Sequence, residues 1–450
     1  MTDTIFALSS APGRAGVAVI RVSGLAAATV YRLVARRDLP AARRAVLVRL
    51  FEAGKDALRG DAAIDDGLAL WFPGPHSYTG EDCLEFQVHG GVAVVATVLD
   101  AIGRVDGTRL AEPGEFTRRA FLSGKIDLTA AEGVIDLIDA ETDSQRRQAL
   151  RQAGGALGAM YDGWRDRLVS VLAHFEAVLD FPDEDLPNEL FDQIYLDILG
   201  LEKDIALHLD DKRRGERLRN GVRIAIIGPP NAGKSSMMNM LAQRDVAIVS
   251  EVAGTTRDVI ETHLDLSGLP VTLADTAGIR DSEDAVEAEG VRRARRSAEE
   301  ADLKILVLDC QALPGHDDVL DQIDSETIVV MNKVDLGPGS TVDMGVFRSV
   351  LAFYPVSVRT GEGVDSFLDG LADAVRGMLD VSDAPVITRA RHRSALEDVR
   401  HALLMSQSAP LPELAAEDIR LAVRSLGHIT GSVDVEDLLD VVFRDFCIGK

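Results

Sequence analysis

Eight consecutive residues, Gly228-Pro229-Pro230-Asn231-Ala232-Gly233-Lys234-Ser235, hold the most specific chemistry in this chain of 450. They follow the apolar run Ile224-Ala225-Ile226-Ile227 directly, as a phosphate loop between a buried strand and a helix must. Glycines at this spacing let backbone N–H groups converge on phosphate, Lys234 brings positive charge to the β and γ groups, and Ser235 offers a hydroxyl to Mg2+. Asp275-Thr276-Ala277-Gly278 follows the strand-like Val271 to Ala274, so Asp275 reaches the same Mg2+ shell while the Gly278 amide senses the γ-phosphate. Asn332-Lys333-Val334-Asp335 follows the run Ile328 to Met331 and reads the base. The Asp335 carboxylate accepts the two donors that guanine presents and adenine lacks, and an adenine would leave it unpaired in a partly buried site. The expected nucleotide is therefore GTP. Ser357, in Val356-Ser357-Val358, completes the base pocket, with Arg359 beside it.

Gly254-Thr255-Thr256-Arg257-Asp258 falls where a switch loop must close over the γ-phosphate, and Thr256 is the candidate second Mg2+ hydroxyl. Many small GTPases place a glutamine after the Asp-Thr-Ala-Gly run, whereas this chain has Ile279. Hydrolysis then needs another polar group, and Asp281, Glu283, Asp284, Glu287 and Glu289 are available. It also needs positive charge in the transition state, from a monovalent cation or from an arginine such as Arg257 or Arg280.

Three textures position these motifs. Residues 1 to about 118 mix short alternating runs, Val17 to Val22 and Leu68 to Phe72, with Gly/Pro punctuation, which predicts an α+β domain. From about 127 a helical period takes over: Leu168, Val171, Leu172, Phe175, Val178 and Leu179 form one stripe that ends at Asp180-Phe181-Pro182. A further helical stretch is expected from about 189 to Arg219. Apolar runs at Ile224, Leu303 to Leu308 and Ile328 to Met331 alternate with helical segments, the pattern of a doubly wound α/β domain, and a helix after Gly363 closes it near Leu379. From Ala390 to Phe446 the chain is helical again. The α/β unit, roughly 220 to 380, is thus expected inside a helical domain built from both flanks.

Length alone asks for two to four domains. The hydrophobic fraction of 46% and charged fraction of 27% are those of a globular protein. A net charge of −25 excludes a chain coated for indiscriminate nucleic-acid binding and leaves room only for local basic patches. Three cysteines, Cys83, Cys310 and Cys447, without metal-ligand spacing fit a reducing compartment such as the cytoplasm. No run of 18 apolar residues and no signal-peptide pattern supports membrane spanning or export.

Gly-x-Pro-Asn-x-Gly-Lys-Ser-Ser, Gly-Thr-Thr-Arg-Asp, Ile279 and the final Cys447-Ile448-Gly449-Lys450 together resemble the MnmE (TrmE) tRNA modification GTPases. The resemblance extends to Arg21-Val22-Ser23-Gly24, Tyr78-Thr79-Gly80-Glu81-Asp82, His89-Gly90-Gly91 and Pro113-Gly114-Glu115-Phe116-Thr117, and so spans the chain. It implies three domains: an N-terminal α+β tetrahydrofolate-binding and dimerisation domain at 1–118, a discontinuous helical domain at 119–219 and 381–450, and an inserted Ras-like P-loop G domain at 220–380. The implied activity is GTP hydrolysis that drives K+-dependent G-domain closure. A homodimer, assembled as a heterotetramer with the FAD-dependent MnmG (GidA) protein, then adds a carboxymethylaminomethyl or aminomethyl group to the wobble uridine of tRNA.

Carried over residue by residue, the resemblance implies a GTP site of Asn231, Ala232, Gly233, Lys234, Ser235, Ser236, Ser250, Thr255, Thr256, Asp275, Gly278, Asn332, Lys333, Asp335, Ser357, Val358 and Arg359. Ser235 and Thr256 are then the Mg2+ ligands. Asn231, Ser250, Thr255 and the backbone of Val252 surround K+, and Glu287 is the water-activating catalytic residue beside Lys234. Arg21, Glu85, Lys125 and Lys450 are the residues implied for a reduced folate (5-formyl- or 5,10-methylene-tetrahydrofolate), with Cys447 a functional thiol nearby. Pro229 at an often basic position, and Ser357-Val358-Arg359 as a looser base-contacting motif, are the departures. The G-domain motifs by themselves also suit a regulatory switch of the ribosome-assembly type, or a GTP sensor that does not hydrolyse. The first 118 residues and the tail are features an assembly factor has no need of.

Overall fold

The computed structural model describes residues 3–52, 63–180, 188–243, 261–274, 296–312, 323–337, 347, 349–379, 384–433, 436–444 and 446–449. They form two compact units, one of Met1–Ile135, Gln152–Asp166 and Val423–Lys450, the other of Asp136–Arg151 and Arg167–Ala422.

The first unit is built on a six-stranded sheet: β1 (Thr4–Leu8), β2 (Ala15–Ser23), β3 (Val46–Phe51), β4 (Ala63–Phe72), β5 (Cys83–Gly90) and β6 (Thr108–Leu110). Its order is β3-β4-β5-β2-β1-β6, antiparallel except for the β1–β6 pair. Strict alternation sorts the two faces. Ala18, Ile20 and Val22 of β2 and Leu84, Phe86 and Val88 of β5 point into a core closed by the helices Ala27–Val34 and Val92–Gly103. Arg21 and Glu85, directly paired in the β2–β5 register, therefore point to the other face. There Ile5, Ala7, Ala111 and Phe116 make a smaller core with Tyr78 against it.

A buried charge ties this face together. Arg119, on the helix Glu115–Leu122, is 1% exposed and donates to the Asp3 carbonyl (3.0 Å), Glu81 Oε2 (3.0 Å) and Glu115 Oε1 (3.0 Å). That helix runs through position 118, where the sequence reading divides its first two domains. The helix Glu436–Arg444 packs Leu439 and Phe443 onto Leu128 and Ala131 of the helix Leu128–Asp139.

The second unit holds β7 (Val222–Ile227), β8 (Glu261–Leu266), β9 (Leu269–Ala274), β10 (Leu303–Asp309), β11 (Thr327–Asn332) and β12 (Ala352–Pro355), in the order β12-β11-β10-β7-β9-β8. All neighbours are parallel except the β8–β9 hairpin. β7, β9, β10 and β11 read as largely apolar runs because both faces are covered. Ile224, Ile226, Ile305 and Val307 pack under the helices Lys234–Gln243 and Val364–Leu379, while Ala225, Ile227, Leu306 and Leu308 pack on the opposite side with Ala298 and Phe347. β7 has β9 on one flank and β10 on the other, so the connections diverge beside its carboxyl end, the place where open α/β sheets bind ligands.

The helical expectations hold at Ala156–Asp180, and from Ala390–Ser408 through Pro412–Thr430 to Glu436–Arg444; Phe181 and Pro182, the expected stop of the first, lie outside the described residues. The stretch from 189 to 219 is two helices, Asn188–Leu209 and Arg214–Asn220, not one. Lys212 and Arg213 take left-handed φ of 51° and 58°, and the Asp211 carboxylate accepts from the Arg213 amide (2.9 Å). Arg393, from the helix alongside, donates to the Leu209 carbonyl (3.1 Å), Asp211 Oδ1 (2.7 Å) and Glu216 Oε1 (2.7 Å). The terminal carbonyl and the turn are satisfied by side chains, so nothing drives the helix onward.

Half-buried His208 sits at this break, and burial pushes its pKa from 6.5 to about 4, with Arg214 and Arg393 adding to the effect against Asp211. The unfolded chain takes up the proton first as pH falls, so stability present above 6.5 is lost on the way down to about 4. Between pH 6.5 and 5 the loss is about 2 kcal/mol. His208→Gln should shrink the difference in urea midpoint between pH 7.5 and 5; an unchanged difference would remove His208 from the acid sensitivity.

Candidate functional site

β7 ends in a loop whose backbone admits no alternative to glycine at two points. Gly228 has φ 142° and Gly233 φ 103°. A Cβ on the first would lie 2.2 Å from the Val307 carbonyl oxygen, and on the second 2.2 Å from Asn332 Nδ2. Asn231 between them is also left-handed, at φ 62°, and its side chain is exposed. The helix Lys234–Gln243 then starts with no acidic residue in its first turn, and Ser235 and Ser236 are exposed there. Its unpaired first-turn N–H groups and dipole make this end attractive to anions. Lys234 Nζ donates to the carbonyls of Gly228 and Pro229, both at 2.9 Å, which folds the ammonium over the loop. Burial pushes its pKa down, so part of its hydration is already gone.

The Asn332–Asp335 segment is stitched to this loop. Asn332 is 4% exposed; its Nδ2 donates to the Ala232 carbonyl (2.9 Å), and its Oδ1 accepts from the Lys333 amide (2.8 Å) and the Val358 amide (3.2 Å). Lys333, left-handed at φ 67°, sends Nζ to the Asn231 carbonyl (2.8 Å) and to Asp309 Oδ2 (2.6 Å). Asp335 lies in the short turn Val334–Leu336, where Ser357 Oγ donates to Oδ1 (2.6 Å) and Arg359 Nη2 to Oδ2 (2.7 Å). The Ser357 hydroxyl, with the Arg359 charge beside it, holds the carboxyl below the usual carboxylate range, so it is ionised at neutral pH.

Gly233, Ser236, Asn332, Asp335, Ser357 and Arg359 line one cavity of about 690 Å3, inside the range of small-molecule sites. A body long enough to reach from the Lys234 loop to Asp335 meets amide donors at one end and a carboxylate acceptor at the other. The structure therefore brings together Asn231, Ala232, Gly233, Lys234, Ser235 and Ser236 with Asn332, Lys333, Asp335, Ser357, Val358 and Arg359. Ser250, Val252, Thr255, Thr256, Asp275, Gly278, Glu287 and Lys450 lie outside the described residues, as do Arg257 and Arg280. Among the described residues no group of three or more His, Cys, Asp or Glu is placed to hold a metal ion.

Sequence reasoning missed three contributors. Asp309 pairs with Lys333; burial pushes its carboxyl up, but the Lys333 ammonium and the Gln311 amide carry it below its usual range. The Cys310 thiol donates to the Lys333 carbonyl (3.0 Å), and Asn239 joins the cavity wall. Asp309 had a readable signal, since an acid at the end of a strand in parallel register with Asn332 must sit beside the next residue, Lys333.

In the first unit, Arg21 Nε and Nη2 both contact Glu85 Oε1 at 2.9 Å, and its guanidinium lies over the rings of Tyr78 (5.2 Å) and Phe116 (5.8 Å). Lys125 Nζ donates to the Pro75 carbonyl (2.9 Å). The tail lies along the start of the fold: Ser9 Oγ donates to the Gly449 carbonyl (2.8 Å), Ile448 bridges Pro113, and the Gly114 amide donates to the Cys447 carbonyl (3.4 Å). Cys447 is exposed, and all three cysteines are free thiols. No described helix is long and apolar enough to cross a membrane.

Two family models match the chain. Residues 4–125 match the family model of the GTP-binding protein TrmE N-terminus, and residues 128–447 match that of the MnmE helical domain. The tRNA modification GTPase MnmE of Rhodospirillum rubrum is 52% identical over 456 residues, covering 100% of this chain and 99% of the relative. That of Paramagnetospirillum magneticum is 52% identical over 451 residues, covering 100% of both. The human mitochondrial 5-taurinomethyluridine-[tRNA] synthase subunit GTPB3 is 46% identical over 469 residues, covering 99% of this chain and 93% of its own length. With both models matched and identity sustained end to end, the chain belongs to the MnmE (TrmE) family of tRNA modification GTPases.

Proposed function

We propose that this protein hydrolyses GTP in the 690 Å3 cavity and uses the cycle to support modification of the wobble uridine of tRNA. The observation that carries the reading is that the Lys234 loop and the ionised Asp335 open onto that single cavity, in a chain of this family. The loop amides and the helix N-terminus face the phosphates, and Lys234 exchanges the carbonyls of Gly228 and Pro229 for β- and γ-phosphate oxygens. Asp335 accepts the guanine N1–H and N2–H, while Ser357 and Arg359 keep its carboxylate in place.

The exposed Ser235 hydroxyl in the first helical turn suits a hard cation that takes oxygen ligands, and Thr256 is its proposed partner for Mg2+, with Asp275 in the same shell and Gly278 on the γ-phosphate. For K+ the proposed ligands are Asn231, Ser250, Thr255 and the Val252 backbone; the exposed left-handed Asn231 offers a side-chain oxygen next to the phosphate loop. These cations, when bound, supply the positive charge that phosphoryl transfer needs, and Glu287 orients the attacking water.

The rest of the proposal concerns the modification. We assign 1–118 to tetrahydrofolate binding and dimerisation, 119–219 with 381–450 to a helical domain, and 220–380 to the inserted G domain. A guanidinium stacked on two rings and paired with a carboxylate suits a ligand with a flat heterocycle and an acidic tail, which supports Arg21 and Glu85, with Lys125 and Lys450, as the reduced-folate site. The human relative's name as a synthase subunit supports a partner protein, for which MnmG is proposed, in a cytoplasmic assembly with tRNA.

Three measurements test this. Asp335→Asn should weaken GTP binding at least ~100-fold and confer binding of xanthosine triphosphate, whose C2 oxygen accepts where guanine donates; undiminished GTP affinity would refute the base assignment. GTP turnover should be much faster in K+ than in Na+ and should fall at least ~100-fold in Glu287→Ala; equal rates in both salts would end the cation mechanism. Mass analysis of wobble nucleosides from cells lacking the protein should show the modified uridine lost, restored by the wild-type chain and not by Lys234→Ala. An unaltered nucleoside profile would refute the tRNA role while leaving GTP hydrolysis intact.

A further inference from the structure

The chain has basic runs at residues 32–44, 212–219 and 389–393, and the structure treats them differently. The two in the second unit are matched by carboxylates: Arg217 by Asp302 (2.8 Å), Arg219 and Arg389 by Asp136 (2.8 Å each), and Arg393 by Asp211 and Glu216 (2.7 Å each). In the first unit Arg21, Arg49, Arg104, Arg109 and Arg119 likewise face acids. Residues 32–44 are held in another way. Arg37 Nη1 donates to the Leu47 carbonyl (3.2 Å), Arg43 Nη2 donates to the His76 carbonyl (2.7 Å), and the Arg36 guanidinium lies over the Phe51 ring (4.3 Å). A carbonyl or a ring fixes a guanidinium in place without cancelling its charge. The run sets Arg32, Arg36, Arg37, Arg43 and Arg44 against Asp38 alone, and all six are exposed.

The backbone gathers these side chains. Arg36 and Arg43 take left-handed φ of 51° and 58°, uncommon for residues with a Cβ, and fold the loop after the helix Ala27–Val34 back onto β3. Arg37 is bonded to the second residue of β3 and Arg44 lies two residues before its first, so Arg37, Arg43 and Arg44 meet at one end of that strand. Arg32 joins them from the last turn of the helix. One arginine there would answer the negative end of the helix dipole; five go beyond that need. A chain of net charge −25 repels a polyanion from afar, but beyond about 8 Å that field is largely screened at physiological ionic strength, and the local charge decides. The guanidinium fork matches phosphate oxygens two at a time.

We propose that the arginines of residues 32–44 form a docking surface for the sugar-phosphate backbone of tRNA. The assignment rests on the tRNA role proposed above and adds where on the chain the RNA is held. RNA is the partner rather than an anionic bilayer, because the arginine loop is pinned to a sheet and the apolar face of the adjoining helix, Ala27, Val30, Tyr31 and Val34, is already buried in the core, so no amphipathic face is left to lie in lipid. Contacts of this kind position RNA without reading its sequence, so the surface holds different tRNAs alike.

The test measures binding of a tRNA transcript to the full-length protein over a range of KCl concentrations. Arg32→Gln/Arg37→Gln/Arg44→Gln should weaken binding at least ~10-fold and lower the slope of log affinity against log salt by about 2 to 3, one phosphate contact per arginine. Arg146→Gln/Arg147→Gln/Arg420→Gln removes the same charge from residues paired with Asp143, Glu176 and Glu417 and should leave the slope as in the wild type. GTP turnover of both triple variants should match the wild type, a check that they fold. In the wild-type protein, bound tRNA should shield Arg32, Arg37 and Arg44 from phenylglyoxal, mapped by peptide mass, which decides the matter should a variant fail to fold. Equal slopes in the two triple variants, or unshielded arginines in a protein that binds tRNA, would overturn the arginine surface and leave the tRNA role standing. No tRNA binding by the wild type would strike that role as well, and tighter retention on phosphatidylserine vesicles than on tRNA would give the surface to lipid.

Discussion

Two hydrogen bonds that span about a hundred residues, from Asn332 Nδ2 to the Ala232 carbonyl and from Lys333 Nζ to the Asn231 carbonyl, make one body of the phosphate loop and the base loop. Neither loop carries its geometry alone. The Ala232 carbonyl belongs to a residue 1% exposed, so without Asn332 a buried acceptor would be left unmade, which is costlier than any surface bond. The contact also dictates sequence on the other side: with the Asn332 amide 2.2 Å from where a Cβ would stand, Gly233 is excluded from carrying a side chain. The parallel register of β7, β10 and β11 brings the two segments to the same sheet edge. Lys333, pinned by Asp309 from the end of β10, then spans the remaining gap. The two segments proposed to hold the base and the phosphates are thereby kept at a fixed separation before any ligand arrives, which lowers the ordering cost of binding.

Much of this was legible because the signals are local. The inner strands of the second unit appear as largely apolar runs since both faces are covered, and the glycines mark the loop because their backbone angles exclude other residues. What escaped depends on partners far along the chain. The break at 210–213 follows from Arg393, roughly 180 residues later, satisfying Leu209, Asp211 and Glu216. Arg119 reads as an ordinary basic helix residue until Asp3, Glu81 and Glu115 close around it. Among the described residues β8 is an edge strand paired with β9 alone, and Glu261-Thr262-His263 gives it too polar a start to stand out. The pairing of Arg21 with Glu85 is a matter of cross-strand register, which the period of two allows but does not specify.

The acidic balance of the chain sharpens what the site must do. A net charge of −25 is a poor host for a triphosphate, and steering from long range cannot help. At physiological ionic strength, however, charges farther than about 8 Å are largely screened, so only the groups lining the cavity decide the outcome. There the chain has separated its charges by position. Lys234, partly desolvated, sits over the loop with the helix N-terminus beneath it, while Asp309 is paired with Lys333. Asp335, at the far end, is kept ionised by Ser357 and Arg359, so the cavity wall carries a carboxylate there. A ligand bearing anionic groups at one end and a pair of N–H donors at the other satisfies both ends at once, and the reversed or adenine-bearing molecule satisfies only one. The selectivity proposed for this pocket is thus a consequence of charge placement over a fixed distance, and that distance is set by the stitch between Asn332 and Ala232.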